Sequence, residues 1–269
     1  MIKNYLEEKY NLLRPVKTNE LVRLGRNMVG GYIVDLGIVE KTKNLITLGF
    51  GPEWSFESDF LKIKNNCSVY IYDHKLSSIP YFKNIWKYIR RFLLLRTSYH
   101  TLKNEFDVWA KYKSFFNHKN VQFYNEKVNF PIEQKNETDI KKILSRVKDK
   151  SKVIFKIDIQ SFEYKIIDQL AESSDQINMM AIQFYWIDKN EETFIDSIKK
   201  LKRKFEIIHI HANNHHDKLK NGLPIMLEIT FLNSRFVTKK NEFIKDFPIK
   251  DLDCSSHPAR EDISFSFAD

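Results

Sequence analysis

Near the end of this chain two strand-like runs follow each other with no helix between them, whereas the earlier runs alternate with helices. Residues 45–48, 68–73, 121–124, 152–158 and 179–186 are short apolar runs rich in β-branched and aromatic side chains, the pattern of strands buried on both faces. Helix-period segments occupy 53–64, 137–148, 161–170 and 191–204. In the second of these Ile140, Ile143, Leu144 and Val147 share one face, and in the third Ser161 is the candidate cap. The last two runs, 205–211 and 226–232, are linked by a polar stretch beginning Ala212-Asn213-Asn214-His215-His216-Asp217-Lys218. It has no room for a crossover helix, so the two must pair as a long-looped hairpin, with the last strand antiparallel to its neighbours. The pattern predicts an α/β fold: a doubly wound, mostly parallel, seven-stranded Rossmann-like sheet with a reversed terminal strand.

Glycine places a ligand site on that sheet. Only seven are present, and six fall before residue 52. The pair Gly49 and Gly51 follows the run Leu45-Ile46-Thr47-Leu48 and precedes a helix opened by Glu53. Strand, glycine turn and helix in that order bring backbone amides close to a nucleotide-like ligand, although many strand–helix turns need glycine for geometry alone. The next strand ends in Asp73, 24 residues after Gly49, close to the spacing at which a carboxylate meets ribose hydroxyls. The plainer alternative is an acid capping its own turn.

Composition narrows the class. With 42% hydrophobic and 29% charged residues over 269 positions, the chain is globular and neither disordered nor fibrous. It holds no run of about 18 uncharged apolar residues, so no transmembrane helix is expected. The N-terminus MIKNYLEEKYNLLRP mixes acids with bases and lacks the apolar stretch of a secretory signal. Cys67 and Cys254 have no metal-like spacing and are expected as free thiols in a reducing, cytoplasmic setting. The net charge of +9 favours anionic partners without choosing among them.

Four segments resemble the FkbM-type class I S-adenosylmethionine-dependent methyltransferases. They are Arg23-Leu24-Gly25 with Gly30-Gly31-Tyr32; Gly49-Phe50-Gly51 leading to Ser55-Phe56-Glu57; Lys156 to Glu163; and His209 to Asn214 followed by Leu227-Glu228-Ile229-Thr230. The third is the most specific and departs from the family's Lys-x-Asp-x-Glu-Gly-x-Glu run, with Gln160 and Ser161 at the Glu and Gly positions. The resemblance implies methyl transfer to an oxygen of a sugar, a nucleotide-linked sugar or a phosphorylated small molecule, in surface polysaccharide assembly. A nicotinamide-dependent oxidoreductase is the rival enzyme. A non-catalytic scaffold or membrane-surface protein on a degenerate methyltransferase fold is the rival outside enzymology.

On that reading Gly49, Gly51, Glu53, Asp73, Glu126 and Asp158 bind S-adenosylmethionine, with Glu126 near the adenine edge and Asp73 on the ribose. Asp158, Glu163 and His211 are the catalytic candidates. Asp158 lies at the carboxyl end of a central strand, where open α/β sheets bind ligands, and Glu163 falls in a first helical turn, which favours acids by itself. His209, His211 and Asn213 alternate onto one strand face, and His211 is the candidate base. Those same three catalytic residues are also the candidate set for a Mg²⁺-type ion, without further support. Tyr185 is a substrate-pocket candidate, with a core aromatic as the alternative.

Between His74 and Asn104 stand seven bases and no acid, interleaved with Phe82, Ile85, Trp86, Ile89, Phe92 and Leu93 at helical spacing. This predicts a basic amphipathic insertion over 79–117. It is read as a capping helix, a lid offering Arg90 and Arg91 to an anionic acceptor, an interfacial helix contacting lipid through 82–96, or a homodimer contact. No nucleic-acid motif is visible. The expected layout is an N-terminal extension over 1–43, a catalytic domain over 44–233 and a C-terminal extension over 234–269. The expected location is the cytoplasm, peripheral to the inner membrane face if the helix contacts lipid.

Overall fold

The computed structural model describes residues 5–18, 20–64, 66–76, 79–148, 152–238 and 242–268. The side chains of 79–82, Phe82 among them, lie outside the described ones. Seven strands build the central sheet: β1 (Asn44–Leu48), β2 (Ser68–Tyr72), β3 (Val121–Tyr124), β4 (Val153–Ile157), β5 (Ile177–Phe184), β6 (Phe205–Ala212) and β7 (Leu227–Asn233). Their order across the sheet is β6-β7-β5-β4-β1-β2-β3. The expected fold class holds, and so does the hairpin: β7 runs antiparallel to both β5 and β6, and the other pairings are parallel. The reversed strand is last in the sequence but lies inside the sheet rather than at its edge.

Every residue of β1, β4, β5 and β7 is buried, because helices cover both faces. On one face lie α1 (Leu36–Lys41) and α2 (Ser55–Ile63), with Ile38, Val39, Phe56 and Phe60 in the core. On the other lie α5 (Ile140–Ser145), α6 (Glu163–Glu172) and α7 (Glu191–Lys202). The insertion between β2 and β3 is a pair of packed helices, α3 (Ile79–Leu93) and α4 (Tyr99–Phe116). The last turns of α4 reach the core, where Phe115 stacks on Phe50 at 5.6 Å between ring centroids.

Register decides what reaches the carboxyl edge. Leu48 is aligned with Tyr72 on one side and with Ile157 on the other. Gly49, Asp73 and Asp158 are therefore each the first residue past their strand, side by side where the chain winds in opposite directions from β1. Two boundaries differ from expectation. Helix α2 starts at Ser55, with Glu53 outside it accepting the Ser55 amide at 2.8 Å. Ser161 does not cap α6, because it and Gln160 take left-handed backbone (φ +81° and +51°) and the helix begins only at Glu163. Cys67 and Cys254 are free thiols.

Candidate active site

A cavity of about 390 Å³ opens at this switch point, lined by the glycine turn, by the residues after β2, β4 and β5, and by a loop at Arg26–Gly30. That size suits a small-molecule ligand. Of the residues singled out from the sequence, Gly49, Gly51, Glu53, Asp73, Glu126, Asp158 and Tyr185 line it; Glu163, His211, Arg90 and Arg91 do not.

The turn after β1 is tightly packed. A Cβ on Gly49 would lie 1.8 Å from the Asp158 carbonyl oxygen, and the backbone there has φ +74°, so only glycine fits. The Asp73 carboxylate locks the turn in place. Its Oδ2 accepts the amides of Phe50 (3.0 Å) and Gly51 (3.2 Å), while its Oδ1 accepts those of Lys75 (2.7 Å) and Leu76 (2.9 Å). These four bonds use the acceptor capacity of a carboxylate, so Asp73 acts here as the clip between two cavity loops.

Glu53 occupies the amino end of α2. Its second oxygen pairs with Arg26 Nε at 3.0 Å, and Arg26 comes from the loop between two short N-terminal strands, Leu21–Leu24 and Tyr32–Asp35. The close fit needs Gly30, where a Cβ would meet the Glu53 side chain at 2.4 Å. A carboxylate and a guanidinium thus face the cavity side by side. Opposite them, Glu126 is gripped by both terminal nitrogens of Arg146 at 2.7 and 2.8 Å, which lowers its pKa. Arg146 in turn lies over the Tyr124 ring.

At the floor, Asp158 Oδ1 accepts a short hydrogen bond from the Tyr185 hydroxyl. Burial raises the Asp158 pKa, against the lowering effect of Tyr185 and of nearby Lys156; burial also pushes the Tyr185 phenol far up. Glu163 stands behind this pair. It accepts the Tyr185 amide at 2.9 Å through one oxygen, the other is buried without a hydrogen bond, and burial pushes its pKa up to about 7.

His211 is buried on β6 between Asp262 (2.9 Å) and Glu228 (3.5 Å). Burial alone would lower its pKa, but the two carboxylates outweigh that and push it up to about 10. In this setting the imidazole already carries its proton at neutral pH. Asp158, Glu163 and His211 do not assemble as a cation site, since among the described residues no group of three such side chains is placed to hold a metal. Arg90 and Arg91 are exposed on α3.

Three contributors escaped the sequence reading. The Arg26 loop had only its scarce glycines as a signal. Lys156 lines the cavity and is buried against Glu57 (3.0 Å), which also accepts from Thr47 at 2.9 Å. A lysine within a strand of buried apolar residues was a readable sign of such a pair. Lys127, over the Phe162 ring at 4.3 Å, completes the wall.

No family model matches the chain, and no curated protein matches it. Three of the solved structures similar to it follow. One is a chain of the fibrillarin/Nop5p complex (11% identity, 71% of this chain and 72% of that one, TM-score 0.39). Another is the precorrin-6y C5,15-methyltransferase from Geobacter metallireducens (9%, 73% and 85%, 0.36). The third is the fibrillarin pre-rRNA processing protein of Methanococcus jannaschii (12%, 72% and 68%, 0.37). Likeness at this level assigns this chain neither a family nor an activity.

Proposed function

We propose that this chain is an S-adenosylmethionine-dependent methyltransferase acting on an oxygen of a carbohydrate or phosphorylated small molecule. The observation that carries the reading is Glu53 on the amino end of α2, paired with Arg26 at the cavity wall. A dinucleotide places its pyrophosphate on such a helix end, and a carboxylate there repels it. A carboxylate beside a guanidinium instead matches an amino-acid tail, the ammonium meeting Glu53 and the carboxylate Arg26. This cavity of about 390 Å³ has room for one nucleoside with that tail.

When bound, the cofactor supplies a methyl group on a sulfonium, so the protein need only hold an acceptor in line and take its proton. Gly49 allows close backbone approach, and Asp73 fixes the turn that forms the wall. Asp158 is the base we favour: it faces the cavity, and its raised pKa makes it a stronger proton acceptor than an exposed carboxylate. Tyr185 aligns that carboxylate through its hydroxyl. Lys75 and Lys127 at the cavity suit an anionic acceptor. Polysaccharide assembly on the cytoplasmic side of a membrane is the setting that the FkbM resemblance implies.

Calorimetry tests this. S-adenosylmethionine and S-adenosylhomocysteine should both bind, NAD should not, and Glu53→Ala should weaken the first two by about tenfold, the loss of one charge-assisted contact. Tight NAD binding, or no binding of either sulfur ligand, overturns the reading.

A further inference from the structure

The insertion exposes apolar surface at its tip that the fold does not ask for. Helix α3 ends in a hydrogen-bonded stop in which Arg96 N donates to Arg91 O at 2.8 Å and Leu95 N to Phe92 O at 2.9 Å. This motif puts the residue after the helix in left-handed backbone, which is normally glycine. Here it is Leu95, with φ +55° and 93% of its surface exposed. Its neighbours Leu93 and Leu94 are 74% and 52% exposed, and Tyr99 across the turn is 67% exposed. A bare leucine in a strained conformation disfavours folding twice over, so the side chain serves something outside the fold.

The surroundings say what. Arg90, Arg91 and Arg96 are exposed beside this turn and Lys83 and Lys87 are exposed further back along α3, and no acid occurs between residues 74 and 104. Trp86, Arg90 and Leu93 fall at i, i+4 and i+7, one exposed stripe of α3 mixing apolar and cationic side chains. The neighbouring stripe, about a quarter turn round the helix, holds Ile85 and packs inward. Apolar residues at a tip backed by a row of cations match an anionic bilayer, whose headgroups meet the charges while its acyl boundary takes the leucines. A second copy of this chain fits poorly, because a two-fold contact there sets one all-basic face against another. Among the described residues no helix is long and apolar enough to cross a membrane, so the contact is interfacial.

We propose that the α3–α4 turn docks this protein on an anionic lipid surface, with Leu93, Leu94 and Leu95 inserted and the bases of α3 on the headgroups. Docking does not depend on what the cavity holds. Flotation of the full chain with vesicles of equal parts phosphatidylcholine and phosphatidylglycerol tests it, against pure phosphatidylcholine vesicles. Partitioning should be at least about tenfold higher on the anionic vesicles and should collapse in high salt. Leu95→Gly suits the turn, so it should keep or raise the thermal midpoint while lowering partitioning several-fold; Leu94→Ser/Leu95→Gly should lower it by about tenfold. Equal flotation on both vesicle types overturns the proposal, and so does undiminished partitioning of the double variant. It is also overturned if neither vesicle binds and the leucines instead hold a concentration-dependent dimer in gel filtration.

Discussion

Lys156 is buried in β4 with its ammonium 3.0 Å from Glu57, and the second Glu57 oxygen has no hydrogen-bond partner. A buried pair of this kind adds little by existing but is costly to halve, since the remaining charge has no counter-ion. Lys156→Met is therefore expected to destabilise by about 3–5 kcal/mol. Adding Glu57→Leu should restore much of that in denaturant unfolding, whereas additive losses would mean that the two charges do not act as a pair. Ser161 shows the opposite economy. At φ +81° it occupies backbone that costs an L-residue roughly 1–2 kcal/mol. Glycine gives back about 0.5–1 kcal/mol of that through its freer unfolded chain. Ser161→Gly should accordingly stabilise by about 0.5–1 kcal/mol, raising the thermal midpoint by about 2 °C.

Strand ends and turns, rather than helices, build the cavity. Continuous apolar runs made β1, β2 and β4 legible, and parallel pairing then put Gly49, Asp73 and Asp158 at one edge without further information. Periodicity is silent about hydrogen bonds, so the four backbone amides that Asp73 binds could not be read from the sequence. If Asp73 is a clip, Asp73→Ala should lower stability by about 2 kcal/mol in the ligand-free protein and release the Phe50 and Gly51 amides to hydrogen exchange. Loss of cofactor affinity with unchanged exchange and unchanged stability would instead make it a direct ligand contact. The Arg26 loop was illegible for another reason. Its contact with Glu53 joins two irregular segments, and neither has a repeating pattern that predicts which residues meet.

At the scale of the whole molecule, the C-terminal segment closes over the edge strand β6. Asn214 holds it by accepting the His257 amide at 2.6 Å and donating to the Arg260 and Glu261 carbonyls at 3.2 and 3.1 Å. That brings Asp253 to His209 at 3.0 Å and Asp262 to His211 at 2.9 Å. Alternation put both histidines on one strand face in the sequence, but their partners lie some forty to fifty residues further on in segments without periodicity. The sign of the linkage follows from His211, whose folded pKa of about 10 stands above its ordinary 6.5. The stabilisation is complete below about pH 6.5 and is lost as pH rises towards 10, because the folded state holds a proton that the unfolded chain releases. Glu163, raised from 4.5 to about 7, works in the same direction, but most of its contribution is already lost by pH 7. Unfolding free energy should therefore fall by a few kcal/mol between pH 7 and 10 in the wild type. Asp262→Asn should be less stable at pH 7 and show a much flatter slope over that range. An unchanged slope in the variant would mean that the Asp262 carboxylate does not hold the histidine's proton.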